Sequence, residues 1–240
     1  MTRAGAKVLL VGVGGIGCPA AMALARAGVG TLGLCDDDVV ERSNLHRQIL
    51  FHDSDVGFPK VMAAARRLGS IVPHLNVELH EHRLLPDNAV NVVRGYDLVL
   101  EGADNFATKF LAADACRLAG VPVVHASAVR WVGTAMAVGP EGSPCYRCLF
   151  EDVPHDGAPS CAEAGVMGPV VGLVAAAQVD LALGWLDGAA VFGELVTVDG
   201  RLETIRRRRV ARRADCSLCG AGARIRRIDA EAYTSPACAG

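Results

Sequence analysis

The sequence predicts an α/β fold with a mostly parallel sheet and an antiparallel extension, and three observations favour it. An apolar strand over residues 8–11 runs directly into a glycine-rich loop, GVGGIG, over residues 12–17. A second apolar strand, over residues 31–35, ends in Asp36, nineteen residues after Gly17. Strand and helix patterns then alternate as far as residue 125, which is typical of parallel sheets with right-handed crossovers. Together these features predict a Rossmann-like fold.

The glycine loop has the G-x-G-G-x-G spacing of a phosphate-binding turn. Gly12 allows the tight turn out of the strand, Gly14 lets a phosphate approach the bare backbone beside Gly15, and Gly17 lets the next helix pack closely. That helix, predicted over residues 15–27, offers its unpaired N–H groups to an anion. Asp36 follows Gly17 at close to the spacing of about 20 residues at which a carboxylate binds a ribose hydroxyl. The alternative is a glycine-rich turn that binds nothing.

The elements between Asp36 and residue 125 follow from periodicity and turn residues. A polar loop over residues 36–51 leads into a short helix, which Ser43 or Asn44 would cap. Pro86 suits the first turn of a short helix that reaches residue 94. Gly120 would end the helix before it. The other elements here are helices over residues 58–71 and from about 106 to 118, and strands over residues 77–82, 97–101 and 121–125.

Beyond residue 125 the pattern becomes antiparallel. The dipeptide Asp199-Gly200 predicts a two-residue hairpin between two short strands. A long apolar helix is predicted over residues 168–186. We expect one domain over residues 1–220 and a loosely ordered tail over residues 221–240. The strands of this region are predicted over residues 135–138, 195–198 and 202–206.

Composition excludes some function classes. The 240 residues carry a net charge of −2, which gives no global field for nucleic acid or membrane binding. The arginine run at residues 206–213 has no interleaved aromatic residue, so a solvated strand end is favoured over a nucleic-acid site. The apolar stretch at residues 166–185 contains Gln178 and Asp180, which favours a buried helix over a membrane span. With no secretory signal visible, we expect a cytoplasmic protein.

The nine cysteines include two C-x-x-C pairs, which is unusual for a cytoplasmic chain unless they bind metal or react. Each pair places two thiolates on one side of a turn, and two pairs complete a tetrahedral site for zinc. Such a site has no open position, so the zinc would be structural. Chance cysteines in loops and a redox pair are the alternatives. The four predicted ligands are Cys145, Cys148, Cys216 and Cys219.

Polar and charged residues follow the strand ends that parallel sheets bring together. Arg47 and Lys60 are candidates to bind phosphates above the glycine loop, while Asn44 and Gln48 would hold the phosphates or the sugar. Asp104 follows the strand over residues 97–101 and would bind Mg²⁺ beside the phosphates. A plain helix cap at Asp104 is the alternative.

Seven motifs, in this order along the chain, together resemble the ThiF/MoeB/HesA family, the bacterial relatives of ubiquitin-activating enzymes. The resemblance extends from about residue 7 to residue 220. The motifs are GVGGIG (12–17), DDDVVERSNLHRQILF (36–51), GFPK (57–60), GADN (102–105), CYRC (145–148), CAEAGVMGP (161–169) and CSLC (216–219).

The resemblance implies an enzyme that adenylates the C-terminal glycine of a small ubiquitin-like sulfur-carrier protein, using ATP and Mg²⁺. It also implies a homodimer, a structural Zn²⁺ on the four cysteines, and a cysteine desulfurase or other sulfur donor as a partner. The catalytic residues would be Arg47, Lys60, Asp104 and Cys161. The nucleotide would be bound by Gly12, Gly14, Gly15, Gly17, Asp36, Asp38, Asn44, Arg47, Gln48, Lys60, Asp104 and Asn105.

Three features of the resemblance bear on activity. Cys161 stands where some relatives carry a thiol that accepts the activated carrier as an acyl disulfide or thioester; an idle cysteine is the alternative. Relatives usually begin with a helix whose arginine reaches the partner subunit's ATP, whereas here only Arg3 precedes the first strand. The family's arginine a few residues after Asp104 is replaced by Lys109.

Two other functions remain open from the sequence. A nicotinamide-dependent oxidoreductase would explain the glycine loop and Asp36, but neither Arg47, Lys60, Asp104 nor the cysteine pairs. A non-catalytic, carrier-binding pseudoenzyme would follow if the N-terminal helix is essential. The pathway also stays open, because thiamine, molybdenum cofactor, cysteine, tRNA thiolation and secondary metabolism all use such activators.

Overall fold

The computed structural model describes residues 2–142, 144–153 and 165–233, and it confirms the predicted α/β fold. The described strands form one eight-stranded sheet in the order β3-β2-β1-β4-β5-β6-β7-β8. The five strands from β3 to β5 are parallel, and β5 to β8 are antiparallel. The strands are β1 (Lys7–Val11), β2 (Thr31–Cys35), β3 (Asn76–His80), β4 (Leu98–Glu101), β5 (Val123–Val129), β6 (Val132–Val138), β7 (Glu194–Asp199) and β8 (Thr204–Arg209).

Helices cover both faces of the parallel half of the sheet. Along β1, Val8 and Leu10 face the layer of α1, α2 and α6, while Leu9 and Val11 face the layer of α3 and α4. Burial on both faces explains why the parallel strands are continuously apolar. The helices are α1 (Gly17–Arg26), α2 (Lys60–Ile71), α3 (Ala89–Arg94), α4 (Phe106–Ala119), α5 (Tyr146–Leu149) and α6 (Gly168–Leu186).

The long helix α6 has the bounds that the sequence predicts. It has the length and mean hydropathy of a membrane span, but 56% of its most apolar window is buried inside the fold. It packs against β5, β6 and α1. Its Gln178 lies in the core, where the amide nitrogen donates to the carbonyl oxygens of Glu101 and Val124. The interpretation as a core helix is therefore favoured.

Predictions from single residues were right at Gly120 but wrong at Pro86 and in the loop after β2. Gly120 ends α4 in the left-handed conformation, as predicted. Pro86 does not open α3, which begins at Ala89. The cap prediction after β2 is also wrong: Ser43 and Asn44 lie inside a single 3₁₀ turn, and no side chain caps it.

The hairpin predicted at Asp199-Gly200 is present, because β7 and β8 pair antiparallel, but its predicted two-residue loop is wrong. β7 ends at Asp199 and β8 begins at Thr204, so four residues connect them. The Asp199 carboxylate accepts hydrogen bonds from the N–H groups of Arg201 and Leu202, which stabilises this wider turn. The tight turn lies instead between β5 and β6, where Arg130 has a positive φ of 54°.

The segment after Gly220 differs from the expected loose tail as far as it is described. Tyr233 is buried, and its hydroxyl donates to Oδ2 of Asp114 on α4 at 2.7 Å. Ile225 and Ile228 pack against the core on the same side of the sheet. Residues 221–233 therefore belong to the folded body, and residues 234–240 lie outside the described range.

Candidate active site

A cavity of about 360 Å³ opens at the carboxyl ends of the parallel strands. It lies where the strand order reverses, between β1 and β4, which is the usual ligand site of an open α/β sheet. Gly17, also predicted to bind the nucleotide, is not among the residues that line the cavity. Eleven sequence-predicted residues line the cavity: Gly12, Gly14, Gly15, Asp36, Asp38, Asn44, Arg47, Gln48, Lys60, Asp104 and Asn105.

The glycine loop forms one wall of the cavity. A Cβ atom at Gly17 would lie 2.1 Å from the carbonyl oxygen of Gly12, so only glycine allows the helix to start this close to the strand end. Gly12 itself has a φ of +90°. At Gly14 the nearest neighbour of an added Cβ would be the Gln48 side chain, at 3.7 Å. The backbone there is open to a ligand, which fits the phosphate-binding interpretation.

Asp36 is held in a fixed orientation at the end of β2. Its carboxylate accepts hydrogen bonds from the N–H of Val13 at 2.7 Å and from the N–H of Asp38 at 2.9 Å. Burial raises the pKa of Asp36, while Lys60 and the two N–H donors oppose that rise. The side chain thus links the glycine loop to β2 beside the cavity.

Lys60 is the cation nearest to Asp36. Its side chain is only 6% exposed, although it carries a charge, and its Nζ donates to Oδ2 of Asp38 at 2.6 Å. The same Nζ lies 3.9 Å from Oδ1 of Asp36. Because Asp38 is exposed, an incoming phosphate can replace it as the partner of the ammonium group.

Arg47 and Gln48 come from the loop between β2 and α2. Nη2 of Arg47 donates to the side-chain oxygen of Asn44 at 2.8 Å, which holds the guanidinium at the cavity. Gln48 is only 3% exposed, and its side-chain oxygen has no hydrogen-bond partner among the described residues. A buried acceptor without a partner is unfavourable, which distinguishes Gln48 among the residues that line the cavity.

Asp104 and Asn105 have separate tasks at the N-terminus of α4. Asn105 is the cap, since its side-chain oxygen accepts the N–H of Thr108 at 2.9 Å. The alternative of Asp104 as the cap is therefore wrong. Asp104 is exposed at the cavity rim, and its only described contact is a long one of 3.5 Å from the Asn105 amide nitrogen. Its carboxylate is available to a cation.

Sequence reasoning missed a buried charged cluster beneath the cavity, formed by Glu101, Lys109 and His125. Nζ of Lys109 lies 3.1 Å from both carboxylate oxygens of Glu101. Nδ1 of His125 lies 3.0 Å from Oε2 of Glu101. One signal was present in the sequence: Glu101 ends an apolar strand, and Lys109 is one of only three lysines.

The four predicted zinc ligands lie together, on the α4 side of the sheet. All four sulfur atoms are within 4.8 Å of one another. The Cys145–Cys216 and Cys148–Cys219 sulfur pairs are 3.5 and 3.4 Å apart. Tetrahedral zinc with Zn–S bonds of about 2.3 Å needs sulfur separations of about 3.8 Å. The cluster therefore has the donor set and the size for a metal ion, and it lies outside the cavity.

The remaining cysteines divide into two groups. Burial raises the pKa of Cys18 and Cys35 to about 12 and raises the pKa of Cys116 further. These three thiols are poor nucleophiles, because only the thiolate reacts readily. Cys161, the predicted sulfur-transfer thiol, and Cys238 lie outside the described residues.

Curated proteins of known name are similar in sequence to most of this chain. The SAMP-activating enzyme E1 of Haloferax volcanii is 42% identical over 90% of this chain and 81% of its own length. The adenylyltransferase and sulfurtransferase MOCS3 of Mus musculus is 42% identical over 96% of this chain and 51% of its own length. The chain spans about half the length of the MOCS3 and Uba4 relatives that it matches.

Solved structures agree on the fold. The crystal structure of E. coli MccB with MccA-N7isoASN superimposes with a TM-score of 0.81 at 23% identity, over 91% of this chain and 68% of that one. The ThiF family model matches residues 3–218, a range that includes the whole cavity lining. The chain therefore belongs to the ThiF family.

Proposed function

We propose that the protein adenylates the C-terminal carboxylate of a small ubiquitin-like sulfur-carrier protein, with ATP and Mg²⁺ as cosubstrates. The observation that carries the proposal is the cavity, in which Arg47, Lys60 and Asp104 surround an open glycine loop. Relatives named as a SAMP-activating enzyme and as adenylyltransferases support it, as does an MccB structure with ATP.

The chemistry needs alignment and charge neutralisation more than a base. A carboxylate attacks the α-phosphate of ATP, the bond to the pyrophosphate group breaks, and an acyl-adenylate forms. Both reactants are already anionic, so cations must reduce their repulsion as negative charge moves to the leaving pyrophosphate. Arg47 and Lys60 would supply these cations, Asp36 would orient the ribose, and Gln48 would help to bind the nucleotide.

The exposed carboxylate of Asp104 would hold Mg²⁺, which would offset negative charge on the phosphates. The four cysteines would hold Zn²⁺ in a closed, structural site. We expect about one zinc per chain in protein prepared under reducing conditions. Cys145→Ser should lower the zinc content, and metal analysis that finds no zinc in wild type would remove this part of the proposal.

The phosphate assignment is tested by pyrophosphate exchange. Arg47→Ala and Lys60→Ala should each lower ATP–pyrophosphate exchange with a cognate carrier at least tenfold, or about 1.4 kcal/mol in the barrier. Arg67→Ala is the matched control, since Arg67 is an exposed arginine on α2 outside the cavity. Exchange at the wild-type rate in both cavity variants would remove Arg47 and Lys60 from the mechanism.

A later covalent step is proposed for Cys161. Its thiol would attack the acyl carbon of the adenylate, expel AMP and release a proton, leaving a thioester. Cys161→Ala should keep pyrophosphate exchange and lose any thiol-sensitive carrier–enzyme adduct on a non-reducing gel. An adduct that persists in this variant would assign the link to another group. A homodimer, a sulfur donor as partner and a cytoplasmic location complete the proposal.

The two other candidates have weaker support. An oxidoreductase leaves Arg47, Lys60 and the cysteine cluster without a task, and binding of NAD in preference to ATP would favour it. A carrier-binding pseudoenzyme predicts carrier binding without pyrophosphate exchange. Both candidates are therefore decided by the same two measurements, nucleotide binding and exchange.

A further inference from the structure

The buried carboxylate of Glu101 contacts the loop that carries Asp104. Glu101 is the last residue of β4 and is fully buried. Its Oε1 accepts a hydrogen bond from the N–H of Ala103 at 2.6 Å. Ala103 directly precedes Asp104, so this bond fixes the backbone at the point where the chain turns from β4 into the cavity rim.

The carboxylate is itself held from two other elements. Lys109 of α4 bonds both of its oxygens, and Nζ of Lys109 also donates to the carbonyl oxygen of Ala126 on β5 at 2.6 Å. His125, also on β5, approaches Oε2. The His125 ring also lies against the Tyr146 ring, with ring centroids 4.5 Å apart. The position of Glu101 is therefore determined by β4, β5 and α4 together.

Burying such a group is unfavourable unless every charge is compensated, and an apolar pair of similar size often stabilises a fold as well. Stability alone therefore does not account for the Glu101–Lys109 pair. What an apolar residue does not provide at position 101 is a hydrogen-bond acceptor for the N–H of Ala103.

We propose that Glu101 is a positioning residue, which holds the loop from Gly102 to Asn105 so that Asp104 presents its carboxylate to the magnesium of bound nucleotide. The proposal rests on the proposed function in one respect, the assignment of Asp104 to magnesium. Glu101 acts through the backbone of Ala103 and does not itself touch the nucleotide. Lys109 and His125 keep Glu101 ionised and in place.

The test separates the hydrogen-bond acceptor at position 101 from its negative charge. It compares variants in which both charges of the Glu101–Lys109 pair have been removed. Lys109→Met removes the cation, and position 101 is then changed to Gln or to Met. Gln keeps an oxygen that accepts the N–H of Ala103, whereas Met is of similar size and has none. Because both double variants lack the ion pair, a purely structural effect lowers the thermal stability of both in the same way.

The readout is the affinity for ATP, measured by titration calorimetry at a series of magnesium concentrations. E101M/K109M should lose at least tenfold in ATP affinity at saturating magnesium and little in its absence. E101Q/K109M should stay within about threefold of wild type. Equal losses in the two double variants would overturn the proposal, and so would a loss that is independent of magnesium.

A double-mutant cycle with Asp104→Asn locates the effect. In the D104N background, E101M/K109M should cause no further loss of magnesium-dependent affinity, whereas additive losses would show that Glu101 does not act through Asp104.

If the double variants do not fold, His125→Phe keeps the ring against Tyr146 and removes one contact of Glu101. It should raise the magnesium concentration for half-maximal ATP binding at least threefold, and no change would overturn the proposal.

Failure of this proposal is distinguishable from failure of the proposed function. The binding measurements need no carrier protein, while the proposed function is tested by wild-type pyrophosphate exchange. If the wild type binds ATP with magnesium but exchanges no pyrophosphate, adenylation is contradicted. The comparison of Gln with Met at position 101 would still decide whether Glu101 is a positioning residue.

Discussion

Helix α4 takes part in two buried ion pairs, one towards each end, and they have different neighbours. In its second turn, Lys109 pairs with Glu101 beneath the cavity. In its second half, Asp114 pairs with Arg147, which lies between two of the metal-site cysteines, Cys145 and Cys148. Both carboxylates are fully buried. One pair therefore connects α4 to the cavity, and the other connects it to the cysteine cluster.

The partners of the two carboxylates show the difference. Asp114 receives Nε and Nη2 of Arg147, each at 2.9 Å, and the hydroxyl of Tyr233 at 2.7 Å, so side chains alone saturate it. Glu101 also receives a backbone N–H from the cavity loop. The same type of ion pair thus joins secondary structure elements at one end and determines a loop position at the other.

The largest effect is expected at the cysteine end. Arg147→Met leaves the Asp114 carboxylate buried without its cation, which should lower the free energy of unfolding by about 3–5 kcal/mol. The affinity for ATP of the folded fraction should change less than about threefold, because no partner of Asp114 reaches the cavity. Chemical denaturation and calorimetry measure the two quantities. A parallel loss of ATP affinity would show that the two ends are coupled.

A smaller effect is expected from Tyr233→Phe, which removes one hydrogen bond to Asp114 and leaves the ring. A hydrogen bond to a charged group is worth about 1.5–3 kcal/mol. The melting temperature should therefore fall by several degrees, since about 1 kcal/mol shifts it by 2–4 °C in a domain of this size. An unchanged melting temperature in Tyr233→Phe would contradict the structural role of this segment.

The smallest effect concerns acid stability at the cavity end. Burial alone would raise the pKa of Glu101, but Lys109 and His125 hold it below its ordinary value of 4.5. The unfolded chain then binds a proton there before the folded protein does, so stability is lost as the pH falls below about 4.5. Wild type should lose up to about 1.4 kcal/mol per pH unit more than E101Q/K109M in that range. Identical slopes in acid denaturation would show that Glu101 does not titrate as described.

The sequence predicts a feature well when the chemistry needs residues close together along the chain. The glycine loop, Asp36 and the two cysteine pairs all have fixed local spacings, and the structure places each of them as expected. The bond between Arg47 and Asn44, three residues apart, is of the same local kind.

The sequence predicts poorly what depends on contacts between distant elements. Lys109 lies on a predicted helix, and the sequence does not show that β5 packs beside it. Tyr233 lies in the predicted loose tail, and the sequence does not show its hydrogen bond to Asp114 because the two residues are 119 positions apart. The turn after Asp199 was mispredicted because the carboxylate of Asp199 stabilises a wider loop than the Asp-Gly dipeptide indicates.

The position of β8 at the edge of the sheet means that the arginine run affects how copies of the chain associate. β8 is the outermost strand of the described sheet, so one side of its backbone has no partner strand. An exposed, unpaired strand invites a strand of another molecule to extend the sheet, and charged side chains are a common protection against this. Four consecutive arginines, Arg206 to Arg209, place positive charge on both faces of β8. Two copies of the chain that approached each other edge to edge would bring these charges together, which disfavours pairing between their β8 strands.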